Sequence, residues 1–334
     1  MTELELHTGS SVAAPALPTI EPAADPTRYP ALPAFPAPSR HIPGGITPGM
    51  LRPVALVDPN GATLALARSL RARQVPVVSL SSRRLEPASF VRGVLRRRLP
   101  ALQERPERWS AALIELAATL EPRPLVLPCS NRAIAFLRAA RRGLEPHFDF
   151  AGLDLSSDVP NTPDAALRRA LTRGEAALEV QLVRDQSGRI TGNCVLAWAP
   201  AAMPDVLVSS VEGTDVARRS SQWAASRGWV GYARLLWASD RFGRLALHAA
   251  SPLPGAGFAL ALADGVDFGA LLHGALCGHT LPAAQARLEL VRRLPCLDAD
   301  ATDSDVPLVD LPVPMLWRDP VPTCASWFRT LVQP

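Results

Sequence analysis

The chain has 334 residues, 48% of them apolar and only 5% aromatic, with a formal net charge of +4. That length allows two domains, or one large domain with extensions, built around an aliphatic, alanine-rich core. Apart from histidine, every basic side chain is arginine, which excludes Schiff-base lysine chemistry and a lysine that grips phosphate.

Five cysteines, Cys129, Cys194, Cys277, Cys296 and Cys324, are scattered without a C-x-x-C pair. That spacing points away from a zinc site or a disulfide framework and towards reduced thiols in a cytoplasmic protein. The opening MTELELHTGSS lacks the basic-then-apolar pattern of a secretory signal, and no apolar run is long enough to span a bilayer, so no membrane association is expected. Arginines concentrate between Arg68 and Arg142, with Arg96, Arg97 and Arg98 in a row. No aromatic platform or nucleic-acid motif is interleaved with them, so a solvated face is expected rather than nucleic-acid binding.

Residues 1–50 are rich in proline and alanine, and each proline removes a backbone donor; a disordered tail is expected there. PVALVD (53–58) has strand character, Pro59-Asn60-Gly61 reads as a turn, and ATLALARSLRARQ (62–74) has the leucine spacing of an amphipathic helix. VPVVSLS (75–81) is a second strand. Strand, turn, helix, strand makes a βαβ unit and so a parallel sheet, whose crevice lies at the carboxyl ends of its strands. Asp58, Asn60, Gly61, Ser81, Ser82 and Arg83 fall there and are the ligand-binding candidates. Ser81-Ser82-Arg83-Arg84 reads equally as an anion-binding corner and as an ordinary loop. Helices are expected over 88–100 and 107–122, a strand over 124–130, and a helix over 133–144 capped by Ser130 or Asn131.

The second half changes character. ALEVQLVRDQSGRITGNCVLAWAP (177–200) reads as a hairpin turning at 185–188, and VLVSSVEG (206–213) as another strand. Residues 214–227 read as a helix with Thr214 as a possible cap, 229–251 as a second hairpin turning at 240–243, and 269–278 as a short helix. Strand pairs without intervening helices imply an antiparallel sheet.

No G-x-G-x-x-G, P-loop, H-x-x-x-H or G-x-S-x-G pattern occurs. His273 and His279 flank Cys277, but the spacing fits no familiar metal site and the segment is apolar, so a packed or rim position is expected for them. No metal site is read from the sequence.

Three blocks together resemble the carbamoyl-phosphate-synthase-like group of the ATP-grasp superfamily. PVALVDPNGATLALARSLRARQVPVVSLSS resembles its opening βαβ unit, and PLVLPCSNRAIAFLRAARRGL its later strand and helix. ASRGWVGYARLLWASDRFGRLALHAASPLPGAGFALALADGVDFGALLHGALCG resembles its closing hairpin and helix; within it GVDFGALLHGALCG, and beyond it LWRDPVP, are the most specific phrases. The resemblance implies a pre-ATP-grasp-like α/β domain over 51–152 and a reduced ATP-grasp-like α+β domain over 153–285. The tail 1–50 and an extension over 286–334 flank them.

The family's chemistry is ATP-dependent activation of a carboxylate, with acidic and amide ligands for magnesium on the closing hairpin. By that alignment the first-strand Glu position falls on Leu236, the Glu and Asn positions on His248 and Ala250, and the Arg position on Pro252. Leu and Ala cannot ligate a cation, and neutral histidine is a poor partner for magnesium. There is also room for only one helix between Leu153 and Glu179, where the family has the subdomain that roofs ATP. The expectation is therefore a catalytically degraded ATP-grasp-like protein without a required cofactor, acting as an accessory or regulatory partner. Its partner would be an active ATP-grasp enzyme or a second copy of the chain. Two alternatives stand beside it. One is a divergent carboxylate–amine ligase that uses ATP and magnesium, with Asp240, Asp264 or Asp267 as metal ligands. The other is a small-molecule or nucleotide sensor that uses the 58–61 and 81–84 crevice.

Overall fold

The computed structural model describes residues 51–150, 163–200, 205–239, 244–279, 282–288 and 291–295. The proline-rich stretch 1–50, the turn with Asp240, and the extension with Cys296 and Cys324 lie outside the described residues.

The first sheet is parallel, as the βαβ pattern requires. β1 (Val54–Val57), β2 (Val77–Ser81), β3 (Val94–Arg98) and β4 (Leu125–Pro128) lie in the order β3-β2-β1-β4. α1 (Thr63–Ala72) joins β1 to β2, and its first eight residues are all buried, Arg68 included. That is more than an amphipathic stripe predicts. One face of α1 packs on the sheet and the other meets the second half of the molecule. α2 (Pro106–Ala117) and α3 (Asn131–Leu144) cover the opposite sheet face, with Trp109, Leu113, Leu137 and Phe148 fully buried between them and the strands. Ser130 caps α3, its hydroxyl accepting from the Ala133 amide at 3.1 Å.

One expected helix is a strand. Residues 88–100 form a single 3₁₀ turn over Pro87–Phe90 and then β3, which pairs with β2 in parallel register from Val77↔Val94 to Ser81↔Arg98. Gly93 has φ of +82°, a left-handed conformation that interrupts any helix, and Pro100 ends the run. The arginines that looked like a helix face decorate an edge strand instead.

The second sheet is antiparallel apart from one short bridge. β5 (Ala177–Arg184), β6 (Ile190–Pro200), β7 (Asp205–Ser210), β8 (Gly231–Ser239), β9 (Leu245–Ser251) and β11 (Val291–Pro295) run in the order β11-β7-β6-β5-β8-β9, and the two-residue β10 (Ala284–Gln285) pairs beside β6. Both expected hairpins are present. α4 (Pro163–Thr172) precedes β5, and α5 (Thr214–Ser226) separates β7 from β8. Gly213, not Thr214, is the cap residue of α5; Thr214 is already its first helical residue. α7 (Phe268–Leu276) matches expectation, but α6 (Ala256–Ala263) was not anticipated: its all-apolar sequence has no amphipathic period to read.

The sheet's two faces have different covers. α5 packs on one, over Val180, Leu182, Leu235 and Trp237. The other carries Leu196, Leu236, Ala238 and Ala249 and is continuous with the core around α1, α4, α6 and α7. Tyr232, Phe258 and Phe268 meet edge to face there, with centroids 5.5 and 5.6 Å from the tyrosine ring. Burying the two phenylalanines contributes about 2–3 kcal/mol each.

Candidate functional site

Two regions qualify by position: the crevice of the parallel sheet and the inner face of the antiparallel sheet.

In the order β3-β2-β1-β4, the connection reverses direction between β1 and β4, so the crevice opens between their carboxyl ends. Asp58 follows β1 and Ser130 follows β4. The Ser130 hydroxyl donates to Asp58 Oδ2 at 2.6 Å, and Arg132 reaches the same oxygen at 3.2 Å. Asp58 is 2% exposed with φ of +53°, which is strained for a residue with a side chain, and its Oδ1 is buried without a hydrogen-bond partner. Asn60 and Thr63 bond reciprocally: the Asn60 amide donates to Thr63 Oγ1 at 3.1 Å, and Thr63 Oγ1 donates to Asn60 Oδ1 at 3.0 Å. Gly61 is buried in the same turn, its carbonyl accepting from Leu64. On the other side of β1, Ser81 Oγ accepts from the Arg83 amide at 3.0 Å, Ser82 is half-buried, and Arg83 lies 3.6 Å from the buried Glu86. Thus Asp58 joins Ser130 and Arg132, and Asn60 and Gly61 form the α1 turn. Ser81 ends β2, and Ser82 and Arg83 begin a separate loop after it. Cys129 lies beneath the crevice. Burial, with Asp58 and Glu86 nearby, pushes its thiol far up.

The inner face of the second sheet holds residues the sequence reading passed over. Directly opposed residues in an antiparallel pair share a face. Glu179 is opposite Leu236 and Leu196, and Gln181 is opposite Arg234 and Cys194. Both are essentially fully buried, as is Arg234. The Tyr232 hydroxyl donates to Gln181 Oε1 at 2.9 Å, and Gln181 Nε2 donates to Glu179 Oε1 at 2.9 Å. Arg234 Nη2 donates to Asp164 Oδ2 on α4 at 2.8 Å. Desolvation raises the Glu179 carboxyl to about 7 against the opposing pull of Arg234. Burial also lifts the Tyr232 hydroxyl and the Cys194 thiol, and both stay protonated near neutral pH. The signal for this cluster was present in the sequence: ALEVQLV and YARLLWA each place charged or amide side chains inside otherwise apolar strands.

The hairpin positions can now be placed. Leu236 pairs with Ala249, and Trp237 pairs with Leu247, so His248 is the extra residue of a β-bulge. Ala250 points to the opposite face, with Leu235 and Trp237. The side chains that flank Leu236 on the inner face are therefore Ala249 and Ser251, with Pro252 beyond the strand. His248 Nε2 is buried without a partner. The α6 backbone seals this face. A Cβ on Gly255 would lie 1.0 Å from Arg234 Nη1, and one on Gly257 would lie 2.2 Å from Glu179 Oε1. Among the described residues, no three His, Cys, Asp or Glu side chains lie together in a way that could hold a metal ion. Asp267 caps α7, accepting from the Ala270 amide at 3.1 Å, and also accepts from the Ser69 hydroxyl. Asp264 accepts from the Leu288 amide at 3.4 Å. His273 Nε2 lies 2.9 Å from the Arg52 carbonyl and 3.6 Å from Cys277 Sγ, a packed arrangement.

No family model and no curated protein matches the chain. Solved structures do. The complete multifunctional pyruvate carboxylase from Rhizobium etli superposes with a TM-score of 0.51 at 12% identity, over 72% of this chain and 29% of that one. The biotin carboxylase domain of a thermophilic 2-oxoglutarate carboxylase, bound to bicarbonate, superposes with a TM-score of 0.50 at 11% identity, over 72% of this chain and 73% of that one. The fold is that of the ATP-grasp enzymes. Within an ATP-grasp frame, the four-stranded parallel sheet is the N-terminal unit and the antiparallel sheet carries the closing hairpin. At identities this low the likeness concerns the backbone alone.

Proposed function

We propose that this ATP-grasp-fold chain does not transfer phosphate and instead acts as an accessory or regulatory partner of a biosynthetic enzyme. The observation that carries this reading is the inner sheet face. Leu236, at the first-strand position where the resemblance requires an oxygen ligand, is fully buried opposite Ala249, while of the other two such positions His248 lies in the bulge and Ala250 points to the opposite face. α4 lies across that face through Ala166, Leu167 and Ala170, and the Arg234–Asp164 pair fixes its start. Polyphosphate brought to this surface would meet methyl groups instead of a metal and would have to displace a packed helix. Of the charged groups described there, Arg234 is paired with Asp164, and Glu179 accepts from Gln181 within the field of Arg234.

The competing ligase reading names Asp240, Asp264 or Asp267 as metal ligands; Asp240 lies outside the described residues, and Asp264 and Asp267 are engaged in backbone and hydroxyl hydrogen bonds that hold α6, α7 and the 282–288 segment. One observation favours the sensor reading, the partnerless Asp58 Oδ1 in the crevice, which suits a ligand that donates an amine or hydroxyl. Isothermal titration of the 334-residue chain with magnesium-ATP, alongside an assay of phosphate release, separates the three. The accessory reading expects neither heat nor turnover. Micromolar, magnesium-dependent binding with turnover overturns it. Binding without turnover that is lost in Asp58→Ala favours the sensor.

A further inference from the structure

β3 is the outer strand of the parallel sheet, and among the described residues nothing pairs with its free side. Its surface is unusual in two ways. Leu95 is 64% exposed, and Leu85, in the loop that leads to it, is 40% exposed. Around them Arg84, Arg92, Arg96 and Arg98 are all exposed. Ion pairs at this edge involve Arg97 with Glu115 and Arg83 with Glu86; Arg96 lies over the Phe90 ring and donates to the Arg84 carbonyl, and none of the four exposed arginines has a carboxylate partner among the described residues. Charge alone on an edge strand guards against aggregation. A mostly exposed leucine amid that charge adds an apolar contact that such a guard does not need.

A free edge offers a row of backbone donors and acceptors that a second extended segment completes, with alternate side chains giving selectivity. A second copy of β3 is a poor occupant, because antiparallel pairing about a twofold axis sets arginine against arginine. The complementary chemistry lies in the same chain. Residues 297–310, LDADATDSDVPLVD, hold five aspartates and no basic residue, with leucine and valine between them. They begin two residues beyond β11, and the 15 residues from Pro295 to Asp310 reach up to about 50 Å when extended.

We infer that the aspartate-rich segment 297–310 docks in extended form along the free edge of β3, its carboxylates on Arg92, Arg96 and Arg98 and an apolar side chain on Leu95. The contact occupies an edge that an outside acidic strand would otherwise use, so it is a self-covering interaction surface. Hydrogen exchange on the whole 334-residue chain tests it. At low salt the outward-facing amides of Val94–Arg98 exchange about tenfold more slowly than in the Asp298→Asn/Asp300→Asn/Asp303→Asn/Asp305→Asn variant, and 0.5 M salt removes the difference on the order of a Debye length's screening. Arg96→Asp/Arg98→Asp removes the protection, and adding Asp298→Arg/Asp300→Arg to that variant restores it. Unchanged exchange in β1 and β2 shows that each variant is folded. Equal β3 exchange in the parent and the asparagine variant overturns the inference. So does protection that depends on protein concentration, which marks a second copy as the occupant.

Discussion

Arg234 of β8 and Asp164 of α4 form a 2.8 Å ion pair in which the guanidinium is 2% exposed and the carboxylate 22%. The pair pins the start of α4 to the sheet face at the point where Glu179 already shares the field of the same arginine. Removing one member of a buried charged group leaves the others uncompensated, which is costlier than removing the group together. Arg234→Leu is expected to destabilise the fold by about 3 kcal/mol in denaturant unfolding, because Glu179 and Asp164 then face apolar neighbours. Asp164→Asn costs less, about 1 kcal/mol, since water reaches that end of the pair. The double variant Arg234→Leu/Glu179→Leu recovers much of the single loss. A double variant that is worse than the sum of its singles contradicts this account of the cluster.

Glu179 gives the fold a pH dependence of defined sign. Its carboxyl titrates near 7 in the folded chain against an ordinary value of 4.5, because burial disfavours the charged form. Between about pH 4.5 and 7 the folded chain holds a proton that the unfolded chain has released. The stabilisation linked to this group is therefore complete below that interval, declines as pH rises through it, and is flat above it. The total is at most about 3 kcal/mol. Tyr232 and Cys194, the neighbouring acids on the same face, stay protonated throughout. Thermal melts of the parent minus those of Glu179→Gln, measured from pH 4.5 to 8, isolate this group from His273, whose depressed pKa acts in the opposite sense at the acid end. A difference that grows more favourable to the parent with rising pH refutes the assignment.

Periodicity made most of the fold legible, since strands such as VALV and LEVQLV and the helix after Ser130 have local signals that tertiary contacts reinforce. It failed where context overrides pattern. VLRRR reads as a helix face until Gly93 turns the chain and β2 offers a parallel partner. AGFALALA has no polar side to betray a helix, because α6 is enclosed by α1, α7 and the sheet. At the inner sheet face the resemblance drew attention to the hairpin ends, and the bulge at His248 shifts which residues face Leu236. Glu179, Gln181 and Arg234 were visible as polar interruptions of apolar strands, but only register shows that they meet.

The glycines that seal the inner face are a third test. Gly255→Ala drives a methyl into the Arg234 guanidinium, and Gly257→Ala drives one between Glu179 and Gln181. Neither neighbour can retreat without breaking the charge cluster, so each substitution is expected to cost at least about 2 kcal/mol. Gly143, near the end of α3, is the contrasting case: an added Cβ meets nothing within 4 Å. Gly143→Ala is expected to raise stability by about 0.5 kcal/mol through helix propensity. Equal effects at Gly143 and Gly255 would mean that α6 does not rest on the cluster.

Asp267 ties the two halves of the molecule together. Its carboxylate caps α7 through the Ala270 amide, accepts from Ser69 on α1, and lies 3.4 Å from Arg73. Gly269 beside it allows the close approach, since a Cβ there would sit 2.2 Å from Ser69 Oγ. Loss of a cap costs about 1 kcal/mol, and loss of the hydroxyl contact adds to it. Asp267→Ala is therefore expected to destabilise by about 1–2 kcal/mol, and Asp267→Asn by less, because an amide oxygen still caps the helix. Ser69→Ala combined with Asp267→Ala should cost less than the sum of the two, as one interaction is removed twice. The ligase reading in its Asp267 form makes the opposite forecast: there Asp267 is a metal ligand, magnesium stabilises the parent, and Asp267→Ala abolishes that stabilisation. Melting curves with and without magnesium, for parent and variant, decide between a cap and a ligand.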